Sequence, residues 1–191
     1  MKSNPRFNRL SLSLFAAAAV IAVAAPVAAN YAGAQGTVFA LTNALSGNQV
    51  IAFDRNADGS LGARRAYSPR GTGTGGGLGN QGALTSSDSG QWLFAVNPGS
   101  DSISVFLNFG GRLFRTDTEA SGGVRPVSVT IEDDIVYVLN AGSDNLQGFR
   151  LSIYGTLTPI SGSRRALSAS GTAPAQVEFN RDGDLLAVTE K

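Results

Sequence analysis

A short hairpin pattern recurs four times after residue 36 and restricts this chain to folds built from repeated β-units. Its clearest copy is 135–149, Ile-Val-Tyr-Val-Leu-Asn-Ala-Gly-Ser-Asp-Asn-Leu-Gln-Gly-Phe. Residues 135–139 are a β-branched and aromatic run of strand length. Residues 140–144 supply turn chemistry, with Gly free to take positive φ and Asn and Asp able to bond the nearby backbone. A second strand follows, from Asn145 to about Leu151.

The pattern returns at 38–53, at 93–106 and at 185–190. The first-strand aromatic falls at Phe39, Phe94 and Tyr137, with Ala187 in the last copy, giving steps of 55, 43 and 50 residues. Propeller blades repeat every ~40–50 residues. Asn97 and Asn140, Gly99 and Gly142, Ser100 and Ser143, Asp101 and Asp144, Phe106 and Phe149 match at equal offsets. Each period holds two more strands, 61–67, 113–118 and 157–160 after the hairpin and 82–86, 126–131 and 175–179 before it. Four short antiparallel strands per period make a propeller blade. They are lettered A to D from the axis outward, so the hairpin is B and C. The expected class is all-β: a β-propeller of four-stranded antiparallel blades, incomplete, with two full and two partial blades. With 15% charged residues and 24 Gly, the composition favours such a β-rich fold over a helical bundle.

The first copy begins at strand B, and the fourth holds only strands A and B. Two to three blades do not close a ring of at least four, and open ends expose strand edges. The expectation is an N-terminal part of a longer protein, with the missing blades supplied by the rest of the chain or by a second copy. A truncated product without independent activity is a further reading.

Residues 1–29 are expected to be a signal peptide, 30–36 a linker and 37–191 the partial propeller. Lys2, Arg6 and Arg9 precede an almost unbroken apolar run, 10–25. Small residues then offer cleavage sites before Asn30 and before Gln35. An uncleaved membrane anchor is the alternative. The expected location is secreted or periplasmic, with no membrane contact after cleavage. Without those three cations the chain has 12 basic and 14 acidic residues, so no nucleic-acid partner is expected. Cysteine is absent, which excludes disulfides and thiolate chemistry.

The stretches 71–84 (GTGTGGGLGNQGAL), 93–106 (LFAVNPGSDSISVF) and 175–191 (AQVEFNRDGDLLAVTEK) together resemble the lactonase family of seven-bladed β-propellers. That family includes 6-phosphogluconolactonase-like and carboxymuconate cyclase-like proteins. The resemblance implies a ring of which about half is present here. It also implies a small-molecule ligand of lactone or sugar-acid type, and hydrolysis or formation of a lactone as the activity. A non-catalytic extracytoplasmic binding propeller is the alternative.

Successive turns of an antiparallel meander alternate between the two ends of a blade. One face carries the A–B and C–D hairpins; the other carries the B–C turns and the long D–A loops. Binding residues concentrate on long loops over a rigid scaffold. Strand A lies nearest the axis, so polar residues entering it border the channel. Asn80, Gln81, Arg125 and Gln176 meet that condition, and Glu190 ends strand B at the same rim. Arg125 suits a carboxylate or an oxyanion, and Glu190 suits a general base. The alternative for each is that it only satisfies loop backbone and channel water. No catalytic residue is assigned, and histidine is absent, so no Ser-His-Asp triad can form.

No cofactor and no metal site are expected. Residues 54–61 match the start of an EF-hand loop, but its twelfth position is Arg65 rather than Glu and the context is strands. A plain C–D turn is expected there. The glycine-rich run 71–79 lacks the Lys-Ser/Thr of a phosphate loop. Glu132, Asp133 and Asp134 read as a solvated A–B hairpin on the opposite face.

Overall fold

The computed structural model describes residues 34–191. The expected signal peptide, 1–29, and linker residues 30–33 lie outside the described residues. The repeated apolar runs form four separate antiparallel sheets, and the described residues contain no helix. The first blade is β1 (Ala34–Leu41), β2 (Val50–Asn56) and β3 (Leu61–Tyr67), in that spatial order. The second is β4 (Leu84–Ser86), β5 (Trp92–Asn97), β6 (Ser102–Phe109) and β7 (Arg112–Ala120). The third is β8 (Pro126–Glu132), β9 (Ile135–Asn140), β10 (Asn145–Leu151) and β11 (Leu157–Pro159), with β12 (Arg165–Ala166) also paired to β10. The last sheet is β13 (Gln176–Phe179) with β14 (Leu186–Thr189). The described strands thus make two full blades and two partial ones, an incomplete propeller.

Strand alternation explains why the inner strands read as continuous apolar runs. In β5, Leu93 and Ala95 pack toward the first blade, together with Phe106 of β6. Phe94 and Val96 point the other way, into a cluster with Val129, Val136, Val138 and Phe149 of the third blade. A strand buried on both faces needs apolar residues at every position, which removes the polar half of the usual alternation. Each such fully buried Val, Leu or Phe contributes about 1.5–3 kcal/mol. In β8 a register shift between Pro126 and Ser128 changes the direction of one side chain. Val127 therefore joins Leu139 and Val177 between the third and fourth blades, while Val129 faces the second.

Several boundaries differ from the sequence expectation, those of β1, β4 and β11 among them. β1 starts at Ala34, so Ala34, Gln35 and Gly36 of the expected linker belong to a strand. β4 shrinks to Leu84–Ser86 because Gly82, at φ 74°, turns its carbonyl to accept the Val129 N–H at 2.9 Å. The outer strand of the third blade is split, because the chain bulges between β11 and β12. There the Ser163 hydroxyl accepts the Gly148 N–H at 3.0 Å, replacing the missing strand partner.

The calcium-like stretch is a C–D turn. Asp54 on β2 pairs with Arg65 on β3, at 2.5 Å, so the residue at the loop's twelfth position neutralises its first carboxylate. The hydrogen bonds from Arg65 hold Asp54 below the usual carboxylate range. Asp58 accepts the Ser60 N–H and hydroxyl, which closes the turn and lowers its pKa as well.

Candidate functional site

The loop-bearing face is built in the first three blades by one device: a polar residue at the B–C end holds the next D–A loop. In the first blade the Asn43 side chain accepts the Thr74 N–H at 2.9 Å and donates to the Gly76 carbonyl at 2.7 Å. In the second, the Asp101 carboxylate accepts the Arg125 N–H at 2.7 Å. In the third, Asp144 accepts the Gly171 N–H at 2.8 Å and the Thr172 hydroxyl at 3.1 Å. These bonds, the Gly171 N–H foremost, hold the Asp144 carboxyl below its ordinary range, with a smaller contribution from the Arg125 charge. In the fourth sheet Glu190 holds the preceding loop instead, accepting the Ser168 N–H at 3.2 Å and its hydroxyl.

Asn48 ties the first two blades together. It is buried and donates to the Val96 carbonyl at 3.0 Å and to Asn97 Oδ1 at 3.2 Å. Asn97 in turn donates to Ser104 at 2.9 Å. The matching Asn140 donates to the Ser121 carbonyl at 3.1 Å, but its buried Oδ1 has no partner in the protein. The recurring Asn of the repeat is therefore a fastener between loop and blade.

The glycine-rich loop after β3 is long enough to cross the inner strand entries. Its near end lies against Asn43 and Ala44, where the Gly73 N–H donates to the Ala44 carbonyl at 2.8 Å. A Cβ on Gly73 would stand 2.1 Å from the Asn43 carbonyl carbon, so only glycine fits this approach. At the far end Asn80 Nδ2 donates to the Val127 carbonyl of the third blade. The Gln81 N–H donates to the Ala175 carbonyl, at 3.1 Å, at the start of the fourth.

That crossing closes one side of a cavity of about 550 Å³. Leu78, Asn80 and Gln81 line it from the loop; Gln176, Thr189 and Lys191 line it from the last sheet. Three of the five residues expected at the rim, Asn80, Gln81 and Gln176, are thus brought together. Arg125 and Glu190 are not among the lining residues.

Arg125 is exposed and has a left-handed backbone, φ 54°, directly before Pro126. The Asp101 carboxylate holds its N–H and the Ala141 N–H, at 2.9 Å, holds its carbonyl, which compensates the strain. Glu190 stands where Asn97 and Asn140 stand in the earlier copies, and its carboxylate holds the loop at Ser168.

Thr189 and Lys191 were absent from the sequence expectation. Thr189 was accessible from the A–B register, because it pairs with Gln176 across the hairpin. Lys191 reaches the cavity through a contact with Gly79 that no local pattern reveals. Chemically the lining offers primary amides, one hydroxyl and one ammonium, groups that hydrogen-bond hydroxyls and attract an anion. No Asp or Glu is among the lining residues. Across the molecule, a smaller cavity of about 270 Å³ lies between the A–B turns, against Ser87, Asp88, Glu132 and Asp133. Asp134, beside it in sequence, is paired to Arg150.

The model of the family described as "Lactonase, 7-bladed beta-propeller" matches residues 34–171. The chain belongs to this lactonase family. Among solved structures, this lactonase-family propeller is similar to a candidate 6-phosphogluconolactonase of Bacteroides fragilis, with 19% identity and a TM-score of 0.64. That match covers 81% of this chain and 47% of the other. A protein from Lactobacillus plantarum matches with 16% identity and a TM-score of 0.64, over 81% of this chain and 46% of its own. The periplasmic gluconolactonase of Pseudomonas aeruginosa is 25% identical, with a TM-score of 0.51, over 63% of this chain and 36% of its own. The chain thus spans less than half the length of each of these three proteins. No curated protein matches it.

Proposed function

We propose that this chain is the ligand-gathering part of an exported lactonase-like propeller, acting on a lactone or sugar acid at the channel mouth of the loop-bearing face. The observation that carries this reading is the convergence of Asn80, Gln81 and Gln176, each at a strand A entry, on one cavity. Amides spaced around a cavity suit a polyhydroxylated ligand, each hydroxyl taking one donor and one acceptor. Arg125, on the same face, serves as a second anchor for an anionic group. A pH-stat assay of the full-length protein on a panel of aldonolactones tests the reading. Acid release that falls at least ten-fold on Gln176→Ala supports it; no release from any lactone removes the enzymatic part.

Export rests on the basic start and apolar run of 1–29. Cleavage before Asn30 leaves β1 whole, whereas cleavage before Gln35 removes its first residue, Ala34. Intact mass of the exported protein distinguishes the two, and a product retaining Met1 would contradict cleavage.

A non-catalytic binding propeller is favoured by one feature: the Glu190 carboxylate is occupied by Ser168 and holds a loop instead of facing the cavity. Retained binding of gluconate without turnover of its lactone would select that reading.

A further inference from the structure

We infer that the cavity beside Gln176 selects an open-chain hydroxy acid over its lactone, and that Lys191 is the residue that tells the two apart. This rests on the proposed reading of the cavity as a ligand site.

Two of the lining amides have their nitrogens engaged by the protein. Asn80 Nδ2 donates to the Val127 carbonyl, and Gln176 Nε2 donates to the Glu178 carboxylate at 2.5 Å. Residues 176 and 178 share one face of β13, which is why this pair can form. A carbonyl or an ionised carboxylate can only accept, so both partners fix which end of each amide is the nitrogen. Neither Val127 nor Glu178 is among the lining residues. Asn80 Oδ1 and Gln176 Oε1 have no donor among the described residues. Each amide thus keeps its oxygen for the cavity, and a ligand hydroxyl supplies the donor that oxygen requires.

Lys191 adds the opposite requirement. Its ammonium donates to the Gly79 carbonyl, and that contact leaves two of its three N–H donors for a ligand. Its backbone is held separately, since its N–H donates to the Thr172 carbonyl at 2.9 Å. It forms no ion pair with a described residue, and no carboxylate lines the cavity to compete for it. A charged oxygen on this ammonium forms a bond about twice as strong as a neutral one does. The Glu178 charge behind Gln176 repels an anion there, so a hydroxy acid places its carboxylate at Lys191 and its hydroxyls at the amides. A lactone carries no charge. Hydrolysis adds water across its acyl C–O bond, leaving one carboxylate and one new hydroxyl. Those are the two groups the cavity takes.

The test is calorimetric binding to the full-length protein at constant ionic strength. Gluconate carries both groups, gluconamide is its uncharged counterpart, and hexanoate keeps the carboxylate and chain length without hydroxyls. Gluconate is expected to bind about five-fold more tightly than gluconamide, the upper end for a solvent-exposed ion pair. Hexanoate should bind more weakly than gluconate. Lys191→Met should erase the preference for gluconate over gluconamide, while Lys191→Arg should keep it. Equal binding of those two probes, or a preference that survives Lys191→Met, would overturn the role of Lys191. Hexanoate binding as tightly as gluconate would overturn that of the amide oxygens. Lactone turnover without a preference for the acid would leave the proposed function standing and remove this inference. The preference without turnover of any lactone would do the reverse, removing only the enzymatic reading. If no gluconate binds, the inference falls together with the reading of the cavity as a sugar-acid site.

Discussion

The two interfaces of the third blade are built on different principles. Toward the second blade it presents a dry cluster in which eleven buried apolar residues, Phe94, Ile103 and Phe149 among them, fill the space between the sheets. Toward the fourth sheet only Val127, Leu139 and Val177 form the buried cluster, with Leu186 and Val188 half-buried beside them. Hydroxyls supplement the second interface: Ser128 Oγ accepts the Val177 N–H at 3.2 Å and Thr130 Oγ1 accepts the Phe179 N–H at 3.4 Å. Polar contacts cross both interfaces, the Thr85 hydroxyl to the Val129 carbonyl at 2.9 Å among them, but only the first has a large apolar cluster behind them. The cavity borders the last sheet, where apolar partners are fewer and movement costs less.

The largest expected effect breaks the dry interface. Phe94→Ala should lower unfolding free energy by about 3–5 kcal/mol, measured by urea denaturation, because the cavity is enclosed on all sides. A loss below about 1 kcal/mol would mean that the two blades do not depend on this cluster. Val177→Ala should cost about 2 kcal/mol, since two methyl groups leave a site that can partly collapse. Its signature is faster exchange confined to β13 and β14, and global destabilisation equal to that of Phe94→Ala would abolish the contrast. Ser128→Ala should cost about 1 kcal/mol, the value of a typical net hydrogen bond, and expose the Val177 amide to exchange.

The smallest effect is a pH dependence in the loop clamp. Asp144 has a folded-state pKa below its ordinary value, so its stabilisation is complete above the unfolded carboxylate pKa of about 3.9. The stabilisation fades as pH falls from there toward the depressed folded value. Exchange of the Gly171 amide, corrected for its intrinsic rate, should rise below about pH 4 in the wild type. In Asp144→Ala it should be fast throughout, and a wild-type rise only above neutrality would contradict the assignment.

Strand positions were legible wherever local turn chemistry brackets the run, whether the strand is largely buried, as β10 is, or largely exposed, as β3 is. β3 and β10 match the sequence reading, and β9 runs one residue past it, because nothing beyond their own residues and turns decides where they end. Reading stopped short where a side chain substitutes for a strand, as Ser163 does beside Gly148. It stopped short again where distant glycines meet other blades, as Gly82 meets Ser128 and Val129. Asn80, Gln81 and Gln176 were accessible because entry into strand A brings a residue near the axis. Lys191 was not, since its partner Gly79 is 112 positions away and bonds through its backbone alone.

The opposite facing of Leu93 and Phe94 has a consequence for how such a chain can change length. These neighbours serve different cores, so one inserted or deleted residue in β5 would send every later side chain of the strand to the wrong blade. Changes of size at one position leave that assignment intact, whereas a change of frame does not. Length variation is thereby confined to the connections. Residues 68–83 join β3 to β4, while 121–125 suffice between β7 and β8. The extra length of 68–83 lies in one of the few places where the propeller can absorb an insertion without remaking two cores at once.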